Sequence, residues 1–232
     1  MATSYNLKLV TDGLVFYLDA ANPRSYAGTG NTSYSLIGSI NGSNTAGVGF
    51  SASSNGSFTF ANTTDHINFG NPSVLQGLQL NMTLSCWFNQ KTNKQYATLY
   101  ADYSTVNSHR LVSLFRVDSG SLRYFTTTSD GNYQFVTPTT INNGSWYYAA
   151  VSVSGTLSSP FVNIFVNGTT YSYSLSAMSS TPSTSNNHCV GGNVYIAEYF
   201  DGNISQVQIH NRALSVAEIR QNYNATTGRY GL

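Results

Sequence analysis

In the stretch MTLSCWF, residues 82 to 88, Met82, Leu84, Cys86 and Phe88 fall on one side of an extended strand and Thr83, Ser85 and Trp87 on the other. Trp87 makes the second side adhesive too, so either face could line a core. GLVFYLDA (13–20) is a short, nearly continuous apolar run, the pattern of a strand buried on both faces. GSFTFAN, DHINFG, HRLVSLFRV, SLRYFTTT, NYQFVTP, SWYYAAVSVSG, FVNIFVNG and TTYSYSLS repeat strand-like runs with turn residues between them. Two hairpins are readable from their tips. In RVDSGSLRYF the tip Asp118-Ser119-Gly120 supplies a residue that tolerates positive φ. In VNIFVNGTTYSYSL the pair Asn167-Gly168 suits the left-handed geometry of a type I′ turn. Short strands, Gly and Asn turns and almost no helix predict an all-β fold of two antiparallel sheets, one domain over residues 1–232.

The last thirty residues break this pattern. ISQVQIH reads as a strand, and NRALSVAEIRQNYN as one short helix. Ser215 is placed to cap that helix, with Glu218 three residues later completing a capping box, and Leu214 is placed to staple against Ile219. Ile219 and Tyr223 then form a narrow apolar stripe for docking on the sandwich, as a lid or an edge cover.

Composition narrows the function classes. Charged residues are 8% of the chain, against roughly 25% in an ordinary soluble domain. Hydrophobic residues are 41%, with seventeen Tyr, twelve Phe and two Trp, which gives a core enough to bury and argues against disorder. A net charge of +1 without a basic block gives no electrostatic purchase on nucleic acid or an anionic membrane. No apolar run is long enough to insert in a bilayer, and MATSYNLKLVTDG has no apolar signal segment. Nine Asn-x-Ser/Thr sequons follow from the abundance of those residues and are expected to go unused. Cys86 and Cys189 are two buried thiols or an inter-sheet disulfide; free thiols are the expectation, since nothing directs the chain to an oxidising compartment.

FDGNISQVQIHNRALSVAEIRQNYN resembles the closing signature of laminin-G-like, concanavalin-A-like jelly-roll domains. In it Gly202, Ile204, Val207, Ile209, Asn211, Arg212, Ala213, Leu214, Ser215, Glu218 and Ile219 occupy the family's pattern positions. DGLVFYLDAANPRSYAGTG and NYNATTGRYGL resemble the ends of such domains in tailed-phage virion proteins, while DHINFG and TLSCWFN are weaker matches between them. One stretch departs: where many relatives carry Trp-x-Asp-Leu-Ser-Gly, this chain has NTSYSLIGSINGSNTAG, so the first loop is expected to be rebuilt. The resemblance implies a jelly-roll β-sandwich with one short C-terminal helix. It also implies a virion decoration or fibre protein with a lectin-like fold, made in the host cytoplasm, contributing to carbohydrate adhesion at the host surface. Other virion proteins are the expected partners, host-surface polysaccharide is the candidate ligand, and a homo-oligomer is open.

The candidate chemistry is sparse. Glycosidic cleavage needs two carboxylates facing the sugar. Beyond Glu218, Glu198 and Asp201 in EYFD form the only close pair, and on one extended strand they would point to opposite faces. The expectation is therefore a protein that is not an enzyme, with a polysaccharide-degrading enzyme as the alternative. The scattered His66, His109, His188 and His210 make no triad or zinc set with the two cysteines. Similar domains hold a structural calcium where first and last strands meet, which transfers here to Asp19 and Asp201. Read locally, Asp19 makes an Asx-turn and Asp201 opens a turn at Gly202. For carbohydrate binding the loop candidates are Tyr100, Asp102, Tyr103, Tyr133 and Tyr195, although most tyrosines of a sandwich are half-buried strand residues.

Overall fold

The computed structural model describes residues 8–53, 55–61, 64–78, 80–103, 110–116, 120–128, 131–175, 177, 187–193 and 197–232. Along the chain run β1 (Leu14–Asp19), β2 (Thr32–Tyr34), β3 (Asn41–Asn44), β4 (Gly49–Ser51), β5 (Ser57–Ala61) and β6 (Ile67–Asn68). Next come β7 (Met82–Gln90), β8 (Ala97–Tyr103), β9 (Arg110–Arg116), β10 (Leu122–Thr128), β11 (Gly131–Val136) and β12 (Trp146–Thr156). The chain closes with β13 (Ser159–Val166), β14 (Thr169–Ser174), β15 (Asn187–Val190), β16 (Gly192–Asn193), β17 (Glu198–Tyr199), β18 (Asp201–His210) and α1 (Val216–Thr226). The first sheet has the order β14-β13-β12-β7-β18-β5-β4, with β1 also on β18; the second has β11-β10-β9-β8-β15-β6-β3-β2. All these pairings are antiparallel, as the short-strand pattern predicts.

The core lies between the sheets. Met82, Leu84, Cys86 and Phe88 of β7 enter it together with Phe58, Val151, Ile164 and Val207. The other side of β7 is buried as well, because α1 and the turn after it lie over it. Trp87 donates from Nε1 to Thr226 Oγ1 at 2.8 Å, and the Tyr230 ring stacks on it at 3.9 Å. Leu214, Ile219, Phe165 and Tyr148 complete this second apolar cluster. The helix therefore covers a sheet face rather than an edge. Its start is built as the local sequence demands: Ser215 accepts from Glu218 N, and Glu218 accepts from Ser215 N at 2.8 Å.

One strand differs from the pattern reading. On β1, Phe16 and Leu18 are fully buried but Leu14, Val15 and Tyr17 are half-buried, so only one face of this strand is sealed. The reason is its place: β1 takes over from β5 as the neighbour of β18 at a bulge around Ser205. The Asn167-Gly168 tip has φ of 42° and 97° and joins β13 to β14 as expected, whereas the Asp118-Ser119 tip lies outside the described residues. Cys86 and Cys189 are both buried and free, and burial pushes the Cys189 thiol up to about 12. No helix among the described residues is long and apolar enough to cross a membrane.

Candidate functional site

The residues expected to hold calcium do not meet. Asp19 pairs in register with Gln206, so it lies five residues along β18 from Asp201, on the order of 15 Å away. Its carboxylate is already engaged. Arg229 Nη1 donates to Oδ1 and Oδ2 at 2.9 and 3.1 Å, Gln206 Nε2 to Oδ2 at 2.9 Å, and Ala21 N to Oδ1 at 3.0 Å. That last bond is the Asx-turn. Asp201 begins β18 instead of opening a turn, and its carboxylate accepts from the Thr92 hydroxyl. The guanidinium already neutralises Asp19, and no group of three or more His, Cys, Asp or Glu among the described residues is placed to hold a metal. The donor set does not fit a calcium shared by these two residues.

Of the tyrosines expected to stack on sugar, the two whose side chains are described, Tyr100 and Tyr133, turn to the core. Tyr100 points into the core, where it meets His188. With the Gln76 amide donating to Nε2 at 3.0 Å, the ring carries its proton on Nδ1 and donates it to the Tyr100 oxygen at 2.6 Å. Asp102, 2% exposed, pairs in register with His188 and lines the same small space with Leu75, Met82 and Ile209. That space is about 10 Å³, room for a water at most. Burial holds His188 down to about 3, so the ring is neutral. Tyr133 also packs against the core. The side chain of Tyr103 and the whole of Tyr195 lie outside the described residues.

A different group gathers on the outer face of the second sheet, the face that α1 leaves open. Tyr96 and Ala197 have left-handed backbones, φ 55° and 53°, a conformation that side chains other than glycine adopt rarely and at a cost. Tyr96 stands just before β8, and its ring lies under the Arg123 guanidinium at 5.1 Å. Ala197 stands just before β17, on which Glu198 Oε2 lies 3.5 Å from the Thr98 hydroxyl of β8. Thr98 and Arg123 share one row of the sheet, since both pair with Phe115. The row continues to Val136, 43% exposed, and the exposed Gln134 stands two residues before it on β11. Arg123 Nε is enclosed with no acceptor among the described residues. A ring, an exposed valine, a guanidinium, a carboxylate and an amide on one open face offer apolar and hydrogen-bonding surface side by side.

Residues 60–220 match the model of a family described as the concanavalin A-like lectin/glucanases superfamily. The chain belongs to that superfamily. Among solved structures, Trypanosoma rangeli sialidase in complex with sialic acid aligns with a TM-score of 0.68 at 13% identity, over 95% of this chain and 34% of the sialidase. Domain 4 of AbnA, a GH43 extracellular arabinanase from Geobacillus stearothermophilus in complex with arabinotriose, aligns with 0.68 at 16% identity, over 89% of this chain and 96% of the domain. The binding domain of Paraclostridial Mosquitocidal Protein 1 aligns with 0.66 at 16% identity, over 93% and 52%. The chain thus spans about a third of the sialidase chain it matches. A search of curated protein sequences gives no match.

These comparisons correct the expectation that the chain is not an enzyme. The superfamily takes its name from glucanases as well as lectins, and its sandwich recurs within a sialidase and an arabinanase. Scarcity of carboxylates therefore does not exclude catalysis. Glu198 and Asp201 do part company, because the chain crosses between sheets at Phe200: one carboxylate reaches Thr98 on the second sheet, the other Thr92 beside the first. Sequence reasoning singled out Glu198 but missed Tyr96 and Arg123. The signal for Arg123 was its alternation with the inward Tyr124 in SLRYF; nothing local marks Tyr96 as left-handed.

Proposed function

We propose that this chain is a carbohydrate-binding domain carried on a tailed-phage virion, and that it holds sugar on the outer face of the second sheet. The observation that carries the reading is the Arg123 guanidinium over the ring of the left-handed Tyr96, in the same row of the sheet as Thr98 with its Glu198 contact, on a face with no helix over it among the described residues. A sugar ring presents an apolar face and a fringe of hydroxyls, which suits an aromatic ring next to planar charged groups. Membership of the lectin/glucanases superfamily and likeness to a domain whose structure is in complex with arabinotriose support it. The virion setting rests on the resemblance of the opening and closing segments to phage-borne domains.

The test is titration of the purified protein against bacterial surface polysaccharides. Saturable binding is expected, weakened at least tenfold by Arg123→Ala and by Tyr96→Ala with melting temperature unchanged. Binding indifferent to both substitutions would remove this face from consideration. New reducing ends, abolished by Glu198→Gln, would show that the bound polymer is also cut.

A further inference from the structure

The opposite, helix-bearing sheet carries a second row of polar groups that the site above does not use. Thr59 on β5, Asn203 on β18, Asn89 on β7 and Trp146 on β12 are successive partners across four neighbouring strands. All four point away from the core, because Phe58, Phe60, Ile204, Phe88 and Tyr147, their chain neighbours, point into it. Three strand spacings of about 4.8 Å make this row roughly 14 Å long. At one end Trp146 is half-buried, packed on Tyr230 at 4.9 Å, where the cover formed by the C-terminal segment stops. At the other end opens a hollow of about 420 Å³ lined by Gly47, Ser51, Thr59, Lys91, Gly202 and Asn203. Its floor is bare backbone of necessity: a Cβ on Gly202, at φ 144°, would stand 2.2 Å from the Asn89 carbonyl.

Much of the row's hydrogen-bonding capacity is unspent among the described residues. Asn89 uses its amide nitrogen on Gly144 O at 2.8 Å, which fixes the side chain and leaves its carbonyl oxygen open. The side chains of Thr59, Asn203 and Lys91 make no hydrogen bond or ion pair among the described residues. The Lys91 charge is offset close by. Asp201 precedes Gly202 at the rim, and Asp65 sits so near Gly47 that a Cβ there would meet its Oδ1 at 1.9 Å. The row therefore offers amide, hydroxyl and ammonium hydrogen bonds without a net positive field.

We infer that this row is a second binding track, for an uncharged linear oligosaccharide lying across the strands. A sugar ring rests on Trp146, the Asn89 and Asn203 amides take hydroxyls along the chain, and its end enters the hollow beside Thr59 and Lys91. The track is independent of the Arg123 face and lies on the other side of the sandwich.

The experiment uses the full chain carrying Arg123→Ala, so that the first face is disabled. It is titrated with neutral linear hexasaccharides (cello-, xylo-, malto- and arabino-series) and with polygalacturonate oligomers. Binding of at least one neutral series is expected, reduced tenfold or more when Asn89→Ala and Asn203→Ala are added. Both residues are on the surface, and an unchanged thermal melt verifies the fold. No binding of any neutral series, binding of the acidic oligomers alone, or binding untouched by the asparagine pair would each overturn the track. A failure of the Arg123 site in the parent protein would leave this result standing, and the reverse holds too.

Discussion

Arg229 shows how much one side chain can hold in a chain with few charges. Besides Asp19, it donates to the carbonyls of Asn55 and Gly56 and to Ser205 Oγ, at 2.6 to 2.8 Å. One guanidinium thereby ties the C-terminal turn to the end of β1, the loop before β5 and the bulge of β18. Removing it strands a carboxylate that is 8% exposed and three acceptors with it. Arg229→Ala should cost about 3 kcal/mol in denaturant unfolding, the usual penalty for breaking a buried pair by deleting one partner. A loss below about 1 kcal/mol would mean that water replaces the guanidinium easily. This contact also explains why the Asx-turn at Asp19 forms while its carboxylate is taken by a partner far along the chain. YLDAANP shows an aspartate at a strand end, where a metal or a turn are both reasonable. Nothing near it in sequence announces an arginine 210 residues later.

At the scale of elements, what was legible is what is decided within a few residues. The capping box at Ser215 and Glu218, the burial of Leu214 and Ile219 in one apolar cluster and the Asn167-Gly168 turn all depend on neighbours in the chain, and all form as read. Arg212 adds a bidentate contact to Glu218, at 2.6 and 3.2 Å, which together with the Ser215 backbone bond lowers that carboxyl to about 2. Ser215→Ala should destabilise the protein by about 1 kcal/mol, measured by urea unfolding. Because α1 is pinned by Trp87 and Tyr230 on the sheet, native tryptophan emission should not move; a red shift would show that the cap, not the packing, seats the helix. The inward placement of Tyr100 was illegible for the converse reason. A bulge between Thr98 and Tyr100 lets both Leu99 and Tyr100 face the core, and alternation read from sequence cannot locate a bulge.

For the whole molecule, spacing of turns and strands was enough for a two-sheet sandwich, but not for which face of each sheet stays open. That depends on where the last helix lands. It also depends on polar groups that the packing of the two sheets buries, and His188 is the one with a consequence for the entire fold. Enclosed with Tyr100, Gln76 and Asp102, it is held near 3 by burial, against an ordinary value of 6.5. The unfolded chain binds the proton first as pH falls, so the stabilisation is complete above about 6.5 and is lost progressively towards 3. The slope approaches roughly 1.4 kcal/mol per pH unit within that window. His210, also lowered by burial, acts in the same sense, whereas the lowered Glu218 contributes only below its ordinary value of 4.5. Unfolding free energies between pH 6.5 and 4.5 therefore read the histidines without the Glu218 contribution. His188→Gln should be less stable than the parent at pH 7 and have a visibly flatter pH dependence between pH 6.5 and 4.5. Parallel curves would mean that the ring takes up its proton without leaving the core, and that the Tyr100 and Asp102 neighbourhood accommodates an imidazolium.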